Sequence, residues 1–203
     1  VKPFRGVDAP RIQYLSVDES RRLVNAADVP FRKLVLAALL TGCRYGEICR
    51  FRVSDFNLDS GTIHVRESKS GKPRHVILAE EGIRFLEQET VGREGNEFLF
   101  LRADGSSWGR AHQVRPLKEA CDRAHIVPRA TFHILRHTYA SHLVMNGVPL
   151  MVIAENLGHS DTRITEKHYA HLAKSYVADA IRAGAQTYGV VETDNVERMH
   201  LRG

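Results

Sequence analysis

Long apolar runs are missing from this chain. Nowhere do about 18 apolar residues follow one another, and the most hydrophobic stretch, FRKLVLAALL from Phe31, is too short and too charged to cross a bilayer. The first residues lack the hydrophobic region of a secretory signal, so no membrane partner is expected. Cysteine is scarce too. Cys43, Cys49 and Cys121 are odd in number and form no CxxC pair, which fits free thiols in a reducing cytoplasm better than a disulfide frame. There is no acidic pair, metal box or nucleotide loop to carry chemistry, and no cofactor is expected. An initiator methionine is also lacking: Val1 comes first, and we expect a piece of a longer chain whose missing part lies upstream.

What is present suffices for one sizeable domain. The chain has 203 residues, 43% of them hydrophobic, enough to bury a real core. A net charge of +5 favours a polyanionic partner. The 11 histidines add positive charge below neutrality, since a free imidazole titrates near pH ~6.5.

Periodicity divides the chain into a helical start, a β centre and a helical end, with no internal repeats and no low-complexity tracts. Residues 1–15, with Pro3, Gly6 and Pro10, read as a linker; 16–188 as the folded domain; 189–203 as a polar, flexible tail. Ser16 with Glu19 forms a capping box ahead of a first helix. Phe31 to about Leu40 is apolar nearly all round and so is expected to be central and buried. Gly42 breaks it before Arg44, and Gly46–Phe51 reads as a short helix. Thr62–Arg66 and Arg74–Leu78 alternate and are β-branched, with SKSGK between them, the pattern of a hairpin with Lys69 near its tip. A helix is expected near 80–89, a short strand at Phe98–Leu101, and helices near 110–125, 133–146, 149–157 and 172–185. Pro149 and Gly158 bracket one of these. The fold class expected is α+β, mostly helical, with helices packed around a small antiparallel sheet.

The chemistry-bearing residues fall in short motifs: TGCRYGEI, HILRH, LGHSD and EKHYAHL. Arg44 follows a glycine, with Glu47 one turn on. The pair reads either as a surface ion pair or as a guanidinium fork gripping phosphate oxygens, its plane held by Glu47. Lys69 is either a solvated turn lysine or an ammonium that a hairpin tip swings to a leaving oxygen, where it donates a proton better than a guanidinium does. His133 and Arg136 share one helix side. His137 and His142 complicate that cluster, and His133 with His137 could be read as a zinc pair. Arg136 beside them argues for phosphate instead. His159 follows a helix-ending glycine, and Tyr169 is a half-buried helix tyrosine by default or a nucleophile by company. Two guanidiniums and two imidazoles suit a crowded anionic phosphorus centre. Residues 147–169 also resemble a helix-turn-helix, which keeps open a DNA-binding regulator without chemistry. That reading leaves Arg44, Lys69 and His133 with Arg136 unexplained.

Taken in order, these motifs resemble the tyrosine recombinase, or phage integrase, family: Arg in TGxRxxE, a hairpin Lys, HxxR, LGH and Tyr, from about Tyr14 to Leu172. The resemblance implies the DNA breaking-rejoining catalytic fold of a site-specific recombinase. It also implies a phosphate ringed by Arg44, Lys69, His133, Arg136 and His159 and attacked by Tyr169 to give a 3′-phosphotyrosyl intermediate. No metal and no ATP are implied, because arginines do the charge work and the phosphoester energy is kept. His133 is the expected acceptor of the tyrosine proton and Lys69 the general acid. Partners implied are double-stranded DNA and a homotetramer on it, with the fragment alone expected to bind weakly as a monomer. The segment after Tyr169, with Val177 and Ile181, is expected to dock on a neighbouring protomer. Lys72, Arg74 and Arg163 are the loosely expected DNA contacts. The motif style is closer to mobile-element integrases than to housekeeping recombinases. A type IB topoisomerase-like relaxing enzyme would share the chemistry. Two departures stand out. Tyr169 lies one position farther from His159 than the family commonly places it, with His168 between. The helical core-binding domain that normally precedes the catalytic one is also missing.

Overall fold

A computed structural model of the chain describes residues 13–67, 73–159, 162–169, 172 and 184–186. Its elements are α1 (Val17–Ala26), α2 (Val29–Thr41), α3 (Tyr45–Ile48), β1 (Phe56–Asn57), β2 (Thr62–Val65), β3 (Arg74–Ile77), α4 (Glu80–Thr90), α5 (Val114–Arg123), α6 (Phe132–Met145), α7 (Leu150–Leu157) and α8 (Thr162–Tyr169). The helices enclose one antiparallel sheet of order β1-β2-β3, as the sequence implies. No helix among the described residues is long and apolar enough to cross a membrane.

Capping chemistry sets the first helix. The Ser16 hydroxyl accepts from the Glu19 amide at 3.2 Å, and the Glu19 carboxylate accepts from the Ser16 amide at 2.8 Å, so two orphan donors are satisfied together. Leu23 on its inner face is fully buried. Helix α2 is the centre of the domain, with Phe31, Leu34, Val35, Ala37 and Ala38 buried around most of its circumference. It lies against α6 and stops at Gly42, whose φ of +64° is left-handed. A side chain there would also strike Tyr139, with a Cβ 2.3 Å from its ring. Glycine is thus required twice over, by conformation and by space.

The hairpin runs in the expected register, with Thr62 opposite Ile77 and His64 opposite His75. Ile63, Val65 and Val76 face the core, while His64 and His75 stack on the other face. Strand β1 extends this sheet by pairing Phe56 with Ile63. Its two residues are too short for the alternation of a strand to register in sequence.

Three expectations are corrected. The strand at Phe98–Leu101 is reduced to isolated bridges, Arg52 to Phe98 and Leu101 to Ser107. The chain beside it turns directly into a 3₁₀ segment at Val53–Asp55, so no extended partner continues the ladder. Residues at the end of the supposed linker belong to the body: Leu15 is buried, its amide donates to Thr138 Oγ1 at 3.0 Å, and its carbonyl meets His142 Nε2 at 3.0 Å. Helix α5 begins at Val114 rather than near 110, because Gly109 to Gln113 form turns closed by His112. The helix expected over 172–185 and the tail 189–203 lie almost wholly outside the described residues.

Apolar burial falls into two clusters. The larger joins α1, α2, α5, the sheet and the start of α6; the smaller gathers Ala140, Val144, Ile153, Leu157 and Tyr169. Helix α6 serves both. Its HILRH segment therefore lies where the two clusters meet.

Candidate active site

Arg44 caps α3. Its amide donates to Glu47 Oε2 at 2.9 Å and its Nη1 pairs with Oε1 at 3.0 Å. Glu47 is almost sealed from solvent, and from the other side Arg74 reaches it with Nη2 at 2.9 Å and Nη1 at 3.2 Å. Burial pushes this carboxyl's pKa up, but the hydrogen bonds and charges of Arg74 and Arg44 outweigh that and hold it below the usual value. Arg74 was expected to help hold DNA. Its side chain is only 10% exposed and is engaged by Glu47 and the Asn156 carbonyl, because a buried carboxylate needs a second cation to stay ionised. Its place is behind Arg44, not out in solvent.

Arg136 projects from the second turn of α6 and is 3% exposed. Nη1 donates to the Gly42 carbonyl and Nη2 to the Leu157 carbonyl, both at 2.8 Å. These carbonyls stand at the C-terminal ends of α2 and α7, where unpaired acceptors and the negative end of each helix dipole favour a cation. Each helix is stopped there by a left-handed glycine, Gly42 or Gly158. Burial and the neighbouring Arg44 charge lower the guanidinium's pKa to about 10, so it remains cationic at neutrality. Among the described residues no carboxylate pairs with it directly. A buried cation without a counterion is costly, and the site is suited to an incoming anion.

His133 is exposed on the first turn of α6. With Arg44, Arg50, Trp108, Arg110 and Arg136 it lines a cleft of about 610 Å³. Burial and the charges of Arg136 and Arg44 lower its pKa. His159 follows Gly158, and its Nδ1 is hydrogen-bonded at 2.7 Å to Thr165 Oγ1, a buried hydroxyl on α8. Burial, then Arg136 and Arg44, bring its pKa down to about 4. The same two cations thus act on both imidazoles.

Tyr169 ends α8 and is 1% exposed. Burial pushes its phenol up to about 12, with Arg136 pulling the other way. Its hydroxyl meets His137 Nδ1 at 2.5 Å. His133, the expected partner, stands one ring away: its imidazole packs edge-on against His137 with centroids 4.3 Å apart. His137 is half-buried, and burial with the charges of His133, His168 and Arg136 lowers its pKa to about 4. It is neutral at pH 7, and we assign the buried phenol as donor to its bare Nδ1.

The structure therefore brings Arg44, His133, Arg136, His159 and Tyr169 together. Lys69 and Lys72 lie outside the described residues, and Arg163 is exposed on α8. The sequence reading treated His137 as half of a possible zinc pair; its place one turn beyond His133 was the available signal. Thr165 carried none. Helix α8 packs on α7 and α6, and Tyr169 at its end is buried.

The chain matches the phage integrase family over residues 13–175. It belongs to that family. It is 35% identical over 194 residues to the tyrosine recombinase XerC of Xanthomonas campestris pv. campestris (strain B100), covering 89% of this chain and 60% of the relative. It is 30% identical over 206 residues to the integrase of Escherichia phage P2, covering 96% of this chain and 56% of that protein. Among solved structures, the XerA recombinase superposes with a TM-score of 0.69 at 31% identity, covering 88% of this chain and 67% of that one. The catalytic domain of bacteriophage HP1 integrase gives 0.63 at 27%, covering 86% and 96%. The chain thus spans little more than half the length of the curated relatives it matches, and nearly the whole of the isolated HP1 domain.

Proposed function

We propose that this chain is the catalytic domain of a site-specific DNA recombinase. The observation that supports it most is Arg136, a buried cation held between two helix ends in a cleft it shares with Arg44 and His133, its charge acting on Tyr169. In this reading a DNA phosphate enters the cleft and Arg44 and Arg136 grip its nonbridging oxygens, with His133 and His159 donating to the oxygens that gain charge. Removing one such donor typically costs a site ~3–4 kcal/mol of transition-state stabilisation. Tyr169 attacks phosphorus, the 3′-phosphotyrosyl ester forms, and Lys69 protonates the departing 5′ oxygen. The ester conserves the bond energy, so rejoining to a partner strand needs no ATP. Arginines supply the positive charge that metal ions supply in nucleases.

Double-stranded DNA is the substrate, in the cytoplasm, with four protomers on two sites. A groove between β3 and α7 lined by Ile77, Leu143, Val148 and Val152 supports docking of a neighbour's 172–185 segment. The test is covalent capture on a nicked duplex, selected from a randomised pool, whose cleaved end diffuses away. An adduct in EDTA that Tyr169→Phe abolishes is expected. Binding without adduct supports a regulator, a strict metal requirement removes the mechanism, and relaxation of arbitrary plasmid indicates a topoisomerase-like enzyme.

A further inference from the structure

We propose that His137, rather than His133, takes the proton from the nucleophile, so that Tyr169 is activated by the residue next to the phosphate-gripping Arg136. The inference rests on the recombinase reading and assigns one more catalytic residue to it. Three observations carry it. The Tyr169 hydroxyl is already hydrogen-bonded to His137 Nδ1 at 2.5 Å, within the reach a general base needs. The ring is held from several sides, by His133 edge-on at 4.3 Å and by His168 and Tyr169 at 5.9 and 5.8 Å between centroids. His133 lines the cleft while His137 lies between it and the phenol, so the proton has a route outward from one imidazole to the next.

The step balances. The Tyr169 O–H bond breaks and its proton passes to His137 Nδ1 while the oxygen forms a bond to phosphorus. The P–O5′ bond breaks, and the departing oxygen takes its proton from Lys69. His137 returns the proton when the strand is rejoined.

Resting chemistry keeps this base idle. Burial holds the phenol up against the pull of Arg136, while burial and the charges of His133 on the same helix, His168 on the facing helix and Arg136 hold the imidazole down. An anionic phosphate seated on Arg44 and Arg136 offsets that positive field and raises His137, so base strength is coupled to substrate occupancy. The nucleophile stays protonated until there is a phosphate to attack.

Two experiments test this on the full chain. With the selected nicked duplex, His137→Ala is expected to slow adduct formation about 10²-fold or more and to recover in added imidazole. A duplex with sulfur in place of the bridging 5′ oxygen, whose leaving group needs no acid, should rescue Lys69→Ala but not His137→Ala. Wild-type rates in His137→Ala, faster cleavage as from a released latch, or rescue by the sulfur substrate would each overturn the assignment. No adduct even in wild type removes the recombinase reading instead. The second experiment needs no DNA. In ¹⁵N-histidine-labelled protein, the His137 Nδ1 signal should shift in Tyr169→Phe, and its titration should move up by about one unit in saturating inorganic sulfate. A signal indifferent to both changes overturns the proposal whatever the cleavage assay gives.

Discussion

Replacing Glu47 by glutamine removes one negative charge from a place where three guanidiniums converge. The carboxylate is 4% exposed and holds Arg44 at 3.0 Å and Arg74 at 2.9 Å, and Arg136 feels its charge. Glutamine keeps the shape and one acceptor oxygen but turns the other terminus into a donor aimed at donors. Breaking a buried pair by neutralising one partner costs about 3–5 kcal/mol, mostly because the remaining cation stays buried and unpaired. Arg74 is that cation. Arg44 is 35% exposed at its side chain and regains water, so it adds little.

Urea denaturation at pH 7 reads this directly, as a lower midpoint at unchanged slope. In a domain of this size the melting temperature should fall by roughly 10 °C. The double variant Glu47→Gln with Arg74→Met should be more stable than Glu47→Gln alone, since the stranded cation is gone. Adduct formation should be lost in both, because Arg44 no longer has a carboxylate to fix its plane. If Glu47→Gln costs less than ~1 kcal/mol, or if the double variant is the weaker one, the stranded-cation argument is wrong.

Other consequences are simpler to measure. Gly42→Ala should destabilise by about 1–3 kcal/mol, since it strains a φ of +64° and drives a Cβ to 2.3 Å from Tyr139; a chemical melt within error of wild type would refute this. His137 and His159 fall from an ordinary 6.5 to about 4 on folding, so the unfolded chain binds more protons between these values. Their contribution is present above pH ~6.5 and lost as pH falls towards ~4. Melting temperature should therefore start to drop below pH ~6.5, and the slope should be shallower in His159→Asn. Sulfate should stabilise the fold more than chloride of equal ionic strength, by up to ~2.7 kcal/mol at a hundred times its dissociation constant, read as a higher melting temperature. Arg136→Met should abolish that increment.

What the sequence made legible was whatever rests on local rules. The Ser16 and Glu19 box, the all-round apolar α2 and the alternating strands of the hairpin are each set by neighbours within a few residues, and each stands where expected. The site motifs were legible as chemistry because arginine and histidine in fixed order have few structural uses in common. The inward turn of Arg74 was not: its partner Glu47 lies far back in the chain, and a half-exposed strand arginine looks the same whether it meets solvent or a buried acid. His137 was obscured for a similar reason. Sequence spacing put it on the same side of α6 as His133, but only the packing of α8 on α6 and α7 decides which imidazole the phenol reaches.

The glycines of TGCR and LGH show how closely folding and chemistry are tied in this domain. Each ends a helix by entering the left-handed region, and the freed carbonyls at Gly42 and Leu157 converge on one guanidinium. A lysine at position 136 would bring the same charge, but as a single compact ammonium. It would lack the planar fork that spans two helix ends and still offers N–H groups to a phosphate. Arg136 is therefore fixed by the fold before any substrate arrives, and its buried charge, offset only in part by Glu47, is a standing cost that an anion relieves. The helix stops that organise the core and the cation that would stabilise a transition state are the same few residues, so substitutions there should alter stability and adduct formation together. Tyr169 is set differently. It is held in a separate apolar cluster with a hydrogen bond to His137, so the proposed nucleophile can be perturbed while the cations around Arg136 stay in place.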